Sequence, residues 1–137
     1  MILPIKRLGA VALLAGAIGL ASATTVHVRL SGAQEVPPVK TAARGEAVIS
    51  VLPDHEVSGE LTTHGLRPTM VHIHEGAAGA NGPIVIWLKH TAGQTWRVPP
   101  GAKLTGAQYK AFLAGDLYLN VHSARHPAGE IRGQIKP

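Results

Sequence analysis

The chain has no cysteine and few aromatic residues (two Trp, two Tyr and one Phe). The lack of cysteine excludes disulfides, thiolate metal ligands and a thiol nucleophile, so any metal must be held by histidine, carboxylate, methionine or backbone oxygen. A core with so few aromatics must be built mainly from Val, Ile, Leu and Ala. Lysine and arginine are scattered, with no block and no interleaved aromatic residues, which argues against a nucleic-acid partner.

The N-terminus has the pattern of a secretory signal peptide. Lys6 and Arg7 precede an apolar run, Leu8–Leu20, which leads to the small residues Ala21-Ser22-Ala23. This run is shorter than the roughly 20 residues of a transmembrane helix, so we expect no integral membrane segment after cleavage. A retained N-terminal anchor is the alternative. We predict a signal peptide over residues 1–23, one mature domain over residues 24–137, and a periplasmic or extracellular location.

Short apolar–polar alternations separated by Gly and Pro follow the signal, a pattern typical of an all-β sandwich or barrel. The predicted strands are Thr25–Leu30, Gly45–Leu52, Glu56–Thr63, Thr69–His74, Pro83–Leu88, Asp116–His122 and Gly129–Ile135. One short helix is predicted over Gly106–Ala114, with Thr105 as its N-cap and Gly115 ending it. Its apolar stripe would contain Tyr109, Phe112 and Leu113.

Histidine alternates with aliphatic residues in two of these strands. Alternate side chains of a strand point to opposite faces, so His72 and His74 share the face away from the core, and His122 takes the equivalent face of its own strand. If the strands are neighbours, three imidazoles meet on the outside of the sheet. Such a donor set suits copper or zinc, and copper is favoured because affinity for nitrogen ligands peaks at Cu(II). The alternative is three incidental histidines, with His122 hydrogen-bonded to a loop carbonyl.

Several neighbouring residues have two interpretations each. Asn120 and Tyr118 either orient the imidazoles or pack across strands, and packing is favoured for Tyr118. His126 is a possible fourth ligand or an exposed loop histidine. Glu130 and Arg132 share a strand face, where such a pair usually forms a surface salt bridge or ties down a loop. Arg132 alternatively draws small anions toward a nearby metal, a tentative catalytic role.

The segment Glu75–Gly82 is rich in glycine but leads into no helix and has no Lys-Ser/Thr after it. It therefore lacks the features of a phosphate-binding loop. We interpret it as a tight connection beside the histidines.

Five motifs in order resemble the CHRD domain, a family named after chordin. They are Ser31-Gly32-Ala33-Gln34-Glu35-Val36-Pro37-Pro38, His72-Ile73-His74-Glu75-Gly76, Asn81-Gly82-Pro83, Gly115-Asp116-Leu117-Tyr118-Leu119-Asn120-Val121-His122-Ser123 and Pro127-Ala128-Gly129-Glu130-Ile131-Arg132-Gly133-Gln134. The resemblance covers Thr25–Ile135 and implies a compact secreted β-barrel or sandwich. Chordin itself antagonises a growth factor, a role that does not transfer to one small domain.

A weaker similarity concerns the copper site of copper/zinc superoxide dismutases. His72-Ile73-His74 resembles the His-x-His copper pair of those enzymes, His122 stands where a further copper histidine is found, and Arg132 is placed like their superoxide-guiding arginine. The chain has no bridging histidine, no zinc-loop histidines and no disulfide. The resemblance therefore implies an Ig-like or superoxide-dismutase-like fold and a copper site without the dinuclear enzyme.

The sequence thus predicts a secreted protein that binds copper through a surface site of His72, His74 and His122, in periplasmic copper handling or superoxide chemistry. The alternative is a non-catalytic module that meets a protein or glycan partner. Imidazole must be neutral to bind a metal, and its ordinary pKa is about 6.5. We therefore expect metal affinity to fall as the pH drops from about 7 to about 5.

Overall fold

The computed structural model describes residues 10–12, 16 and 22–137. The predicted signal peptide over residues 1–23 falls for the most part outside these residues. Among the residues described, no helix is long and apolar enough to cross a membrane.

The described residues form nine strands and one α-helix. The strands are β1 (Thr24–Ser31), β2 (Arg44–Val51), β3 (Val57–His64), β4 (Pro68–Glu75), β5 (Ile84–Trp87), β6 (Lys89–Ala92), β7 (Thr95–Arg97), β8 (Leu117–Ser123) and β9 (Ile131–Ile135), with a 3-10 turn at Gly32–Gln34 and helix α1 at Gly106–Ala114. All pairings are antiparallel, in the order β5-β4-β8-β9-β1-β2-β3-β7-β6. The sheet curls into a nearly closed barrel. The predicted all-β fold with one short helix is confirmed.

The barrel interior is lined by the aliphatic face of each strand. In β1, Val26, Val28 and Leu30 are buried while the residues between them are exposed. Strand β2 pairs with β1 over its whole length, and its Ala47 and Ile49 point to the same interior. Burying these branched side chains contributes roughly 1.5–3 kcal/mol each relative to exposure.

Helix α1 has the predicted bounds and caps. The Thr105 hydroxyl accepts a hydrogen bond from the Gln108 amide, and the Gln108 side chain accepts one from the Thr105 amide, which makes a complete capping box. Gly115 ends the helix in the left-handed conformation, which glycine adopts without steric cost. Phe112 is fully buried in the core, but Leu113 is exposed. The predicted apolar stripe is therefore wrong at Leu113, because only one face of this short helix meets the barrel.

Strands β6 and β7 were not expected. All four residues of β6 are exposed, and the three of β7 lie against β3 through pairs such as Leu61 with Trp96. Their polar composition carries no alternation from which a strand can be inferred. They extend the β3 edge of the sheet, far in strand order from β4 and β8.

Candidate metal centre

The three predicted histidines come together where β4 and β8 pair. The register sets His72 opposite Asn120 and His74 opposite Tyr118, and it places His122 one pair further along, opposite Met70. All three imidazoles lie on the face of the sheet away from the barrel interior. One nitrogen from each lies within 4.8 Å of the others, and they form the only such group of potential metal ligands among the residues described.

The triad of His72, His74 and His122 is buried, which corrects the expectation of a surface site. The exposed fractions of these side chains are 2%, 9% and 7%. Two loops and one ring cover them. The β4–β5 loop (residues 76–83) reaches His74, the β8–β9 loop (residues 124–130) reaches His122, and the Trp87 ring lies edge-on to His72 with ring centroids 4.2 Å apart.

Two backbone carbonyls fix the tautomers of His74 and His122. Nδ1 of His74 lies 2.9 Å from the Gly82 oxygen, and Nδ1 of His122 lies 2.9 Å from the Pro127 oxygen. A carbonyl oxygen only accepts hydrogen bonds, so both Nδ1 atoms must carry the proton. In the neutral rings, Nε2 of each is then left with a lone pair. A backbone carbonyl on the far nitrogen is the arrangement that orients metal-binding imidazoles in proteins.

His72 completes the arrangement through a contact with His122. Its Nδ1 lies 3.1 Å from Nε2 of His122, so the Nδ1 proton of His72 is donated to that lone pair. Two nitrogens bound to one ion at about 2.0–2.1 Å are separated by roughly 3–3.5 Å, so these two atoms already have the spacing of metal ligands. An ion between them would take the place of the shared proton. One nitrogen from each of the three rings lies within 4.8 Å of the others, so a small shift of the rings toward one another would complete the site.

Two ring nitrogens of the triad have no hydrogen-bond partner. Nε2 of His72 and Nε2 of His74 are buried and unpaired within the described protein. An unsatisfied buried polar group costs about 1–3 kcal/mol, and most buried polar groups are paired. Two such atoms in one triad are therefore a feature that needs a function. A metal ion held with Nδ1 of His72 and Nε2 of His122 would satisfy Nε2 of His74, which is the fit that the donor set offers. It would not bind Nε2 of His72, because the two nitrogens of one imidazole point in different directions.

Burial also keeps these imidazoles neutral. Desolvation lowers the pKa of His72 to about 4, and the neighbouring His122 and His74 lower it further. Desolvation likewise lowers the pKa of His74, although the hydrogen bond to Gly82 acts in the opposite direction. Both rings are neutral at pH 7, as metal binding requires. At His72, protons compete for the ring only near pH 4, below the window of pH 5–7 that an ordinary imidazole would give.

Tyr118 holds the His74 ring from one side. The two rings are stacked, with centroids 4.9 Å apart and planes 5° from parallel. The Tyr118 hydroxyl accepts a hydrogen bond from the Gly82 amide, while the Gly82 oxygen accepts the His74 proton. Tyr118 is therefore both a packing residue, as expected, and a positioning residue for the imidazole.

Arg132 holds the β4–β5 loop through hydrogen bonds to its backbone. Its guanidinium lies 3.5 Å from the centre of the Tyr118 ring and donates to the oxygens of Ala77 and Ala80. With 1% of its surface exposed, it ties down a loop. Anion guidance by Arg132 stays a prediction; the hydrogen bonds observed go to the loop and to the Gln134 side chain.

Asn120 lies between the triad and Arg132 but makes no recorded hydrogen bond to a ring. Its amide donates to the Glu35 carboxylate and to the Ile131 oxygen. Burial raises the pKa of Glu35 to about 6, against the lowering effects of Asn120 and Arg132. Asn120 thus anchors the segment after β1 instead of orienting an imidazole.

Glu130 and His126 also differ from their first interpretations. Glu130 is buried and accepts hydrogen bonds from the hydroxyls of Thr41 and Ser123, so the expected surface salt bridge with Arg132 is replaced by the loop-tying role. His126 lies outside the group of close ligand atoms and lines a separate cleft. Its role as a fourth ligand remains a prediction.

The sequence did not identify which backbone groups hold the rings. A loop carbonyl on His122 was the alternative to a metal ligand, and Pro127 supplies that carbonyl. The Gly82 and Pro127 carbonyls are invisible to side-chain motifs. The structure shows why residue 82 is glycine, because a Cβ there would lie 1.6 Å from the Glu75 oxygen.

Fold and site define a class: an antiparallel β-barrel domain that carries a covered cluster of three histidines on one flank. Comparison with known families gives the family itself. The CHRD domain model matches residues 26–135, and the chain belongs to the CHRD family. No curated protein and no solved structure matches the chain.

Proposed function

We propose that this CHRD protein binds one copper ion through His72, His74 and His122 and serves copper handling outside the cytoplasm. One observation carries the proposal: His74, whose Nε2 is buried and unpaired, belongs to a group of three buried histidines with one nitrogen from each within 4.8 Å of the others, and Nδ1 of His72 lies 3.1 Å from Nε2 of His122. The exported location rests on the predicted signal peptide.

The donor set favours copper among the common metals. Three neutral imidazoles without thiolate or carboxylate suit copper and zinc, whereas magnesium and calcium require oxygen ligands. Along the divalent series, affinity for such a site peaks at Cu(II). When bound, the ion would supply Lewis acidity or redox capacity. The protein's own residues hold the three nitrogens in place and exclude water from them.

A calorimetric titration of metal-free protein with Cu(II) tests the proposal. We expect one ion per chain for the wild type and loss of that binding in the variant His72→Ala/His74→Ala/His122→Ala. The matched control is His27→Ala/His64→Ala/His90→Ala, which removes three exposed histidines and should bind as the wild type does. Equal binding by both triple variants would overturn the proposal, and tighter binding of Zn(II) than of Cu(II) would overturn the choice of metal.

Tryptophan fluorescence locates the ion independently. The chain has two tryptophans, and Trp87 is 57% exposed with its ring 4.2 Å from the His72 ring. Bound Cu(II) should quench Trp87, so Trp96→Phe should keep the quenching and Trp87→Phe should lose most of it. The opposite result would place the ion elsewhere.

A further inference from the structure

The end of the barrel where β3 and β8 terminate carries an exposed cationic cleft. It has a volume of about 480 Å³ and lies between the β1–β2, β3–β4 and β8–β9 loops. Each loop contributes one exposed cation to its lining: Lys40, Arg67 and Arg125. We call the cavity lined by these three residues the cationic cleft.

Acidic residues offset only part of the positive charge of this cleft. Glu130 also lines it, but both of its oxygens accept hydrogen bonds from the hydroxyls of Thr41 and Ser123. Among the residues described, the one ion pair is Arg97 with Glu60, on the outer face of the sheet. The acidic residues at the turns Asp54–Glu56, Glu75 and Asp116 belong to the opposite end of the barrel. The three cations of the cleft therefore outnumber the one carboxylate in its lining, and none of them forms an ion pair among the residues described.

The distribution of these cations fits a chain of anionic groups better than a single ion. They lie on three separate loops, so one small oxyanion would have to draw three flexible side chains together, at a cost in conformational entropy. No Trp, Tyr or Phe lines the cleft, so it lacks the stacking surface with which proteins bind exposed nucleic-acid bases. A repeating polymer of sulfate or phosphate groups would meet each cation in turn.

We propose that the cationic cleft binds an anionic polysaccharide through its sulfate or phosphate groups. The site shares no residue with the triad of His72, His74 and His122, so the proposal holds whether or not the protein binds copper. The planar guanidinium groups of Arg67 and Arg125 can each donate two parallel hydrogen bonds to two oxygens of a sulfate or phosphate group.

Binding to a fluorescently labelled sulfated polysaccharide, measured by anisotropy with a chelator present, tests this inference. The variant Lys40→Gln/Arg67→Gln/Arg125→Gln should lose about tenfold or more in affinity and show a weaker dependence on salt concentration. The control Lys103→Gln/Lys110→Gln/Lys136→Gln removes the same charge at the opposite end and should bind as the wild type does. Equal losses in the two variants would show a mere effect of net charge and would overturn the proposal.

Further probes separate the possible ligands. The desulfated polysaccharide should not bind, and millimolar inorganic sulfate or phosphate should compete only weakly. Strong competition by the free ions would show a single-anion site and contradict the polymer. Equally tight binding of a short DNA duplex would contradict the assignment to a polysaccharide. Unchanged melting temperatures of the two variants would show that the fold is intact.

Discussion

Strands β1 and β8 have the same alternation of polar and apolar residues but very different surroundings. In β1 every second residue is exposed, whereas all seven residues of β8 are buried. The difference comes from the outer face. The outer face of β1–β3 is open to solvent, while loops cover that of β4, β8 and β9. The comparison shows that polar alternation identifies a strand face but does not tell whether water reaches it.

The covered face is a second, polar layer outside the hydrophobic core. Its polar groups meet loop backbone instead of water: His74 meets the Gly82 oxygen, His122 meets the Pro127 oxygen and Arg132 meets the Ala77 oxygen. Such a layer places donor atoms precisely but makes each of them sensitive to substitution. Residues of the open face, by contrast, should tolerate change.

The largest difference in the free energy of unfolding is expected between substitutions of two arginines, one on the covered face and one on the open face. Arg132→Met should lower the free energy of unfolding by about 3 kcal/mol, because the loop and Gln134 lose hydrogen bonds from a buried charged donor. Arg29→Met, on the exposed face of β1, should change it by less than about 0.5 kcal/mol. Urea denaturation of both variants measures the difference. Similar losses would mean that the second layer is not a stabilising structure.

Substitution of two glycines tests whether the β4–β5 loop supports the fold and the triad. Gly82→Ala should cost about 2 kcal/mol and weaken copper binding, because its Cβ would displace the Glu75 carbonyl and pull the Gly82 oxygen away from His74. Gly106→Ala is the control: a Cβ there meets nothing within 4 Å at the start of helix α1, so stability should stay equal or rise slightly. Copper affinity and thermal melting distinguish the two. An unaffected Gly82→Ala variant would contradict the role of this loop.

The covered layer should also make metal-free stability depend on pH. His72 has a folded pKa of about 4, so between about pH 6.5 and 4 the unfolded chain binds more protons and stability falls as the pH falls. The lowered pKa of His74 acts in the same direction. Glu35 acts in the opposite direction. Its folded pKa is raised to about 6, so below that pH the buried carboxylate takes up a proton and no longer destabilises the folded state.

We expect a net loss on the order of 1–2 kcal/mol between pH 6.5 and 4 in the wild type, and a steeper loss in Glu35→Gln. Replacing His72 and His74 with Gln should leave the opposing effect of Glu35, so this variant should become more stable as the pH falls from about 6 to about 4.5. Chemical denaturation at several pH values, with a chelator present, gives these slopes. A wild-type profile that is flat, or that rises on acidification, would contradict the burial of neutral imidazoles.

The smallest loss of stability is expected for a substitution on the open face of the sheet. Arg97 and Glu60 form an ion pair at 2.7 Å, with both side chains largely exposed. Such pairs contribute about 0–1 kcal/mol, so Glu60→Gln should hardly change stability. Glu130→Gln, on the covered face, should cost more because one of the two hydroxyls loses its acceptor. Urea denaturation of both variants tests which one loses more free energy of unfolding. A larger loss in Glu60→Gln than in Glu130→Gln would contradict the difference between the two faces.

Much of this architecture could be predicted from local sequence. Turn residues and period-two alternation located seven strands to within a few residues, and Thr105 and Gly115 fixed the bounds of helix α1. The predicted triad required the two histidine strands to be neighbours, and β4 does pair with β8. These features depend on residues close in the chain or on a simple periodicity.

The covering of the triad could not be predicted, since it depends on contacts between distant segments. Arg132 reaches Ala77 across 55 residues, and Asn120 reaches Glu35 across 85. No local pattern encodes such contacts, so the histidines were expected on the surface. Strands β6 and β7 were missed for a different reason, because their exposed polar residues lack any alternation.

X-ray absorption at the copper edge tests the central claim most directly, because it counts imidazole ligands in either oxidation state of the metal. Protein purified without a histidine tag and loaded with one equivalent of copper should show three imidazole nitrogens at about 2.0 Å. The triad variant should lose this signature, and the variant at His27, His64 and His90 should keep it. A spectrum dominated by oxygen ligands, or one that survives in the triad variant, would contradict a copper site at His72, His74 and His122.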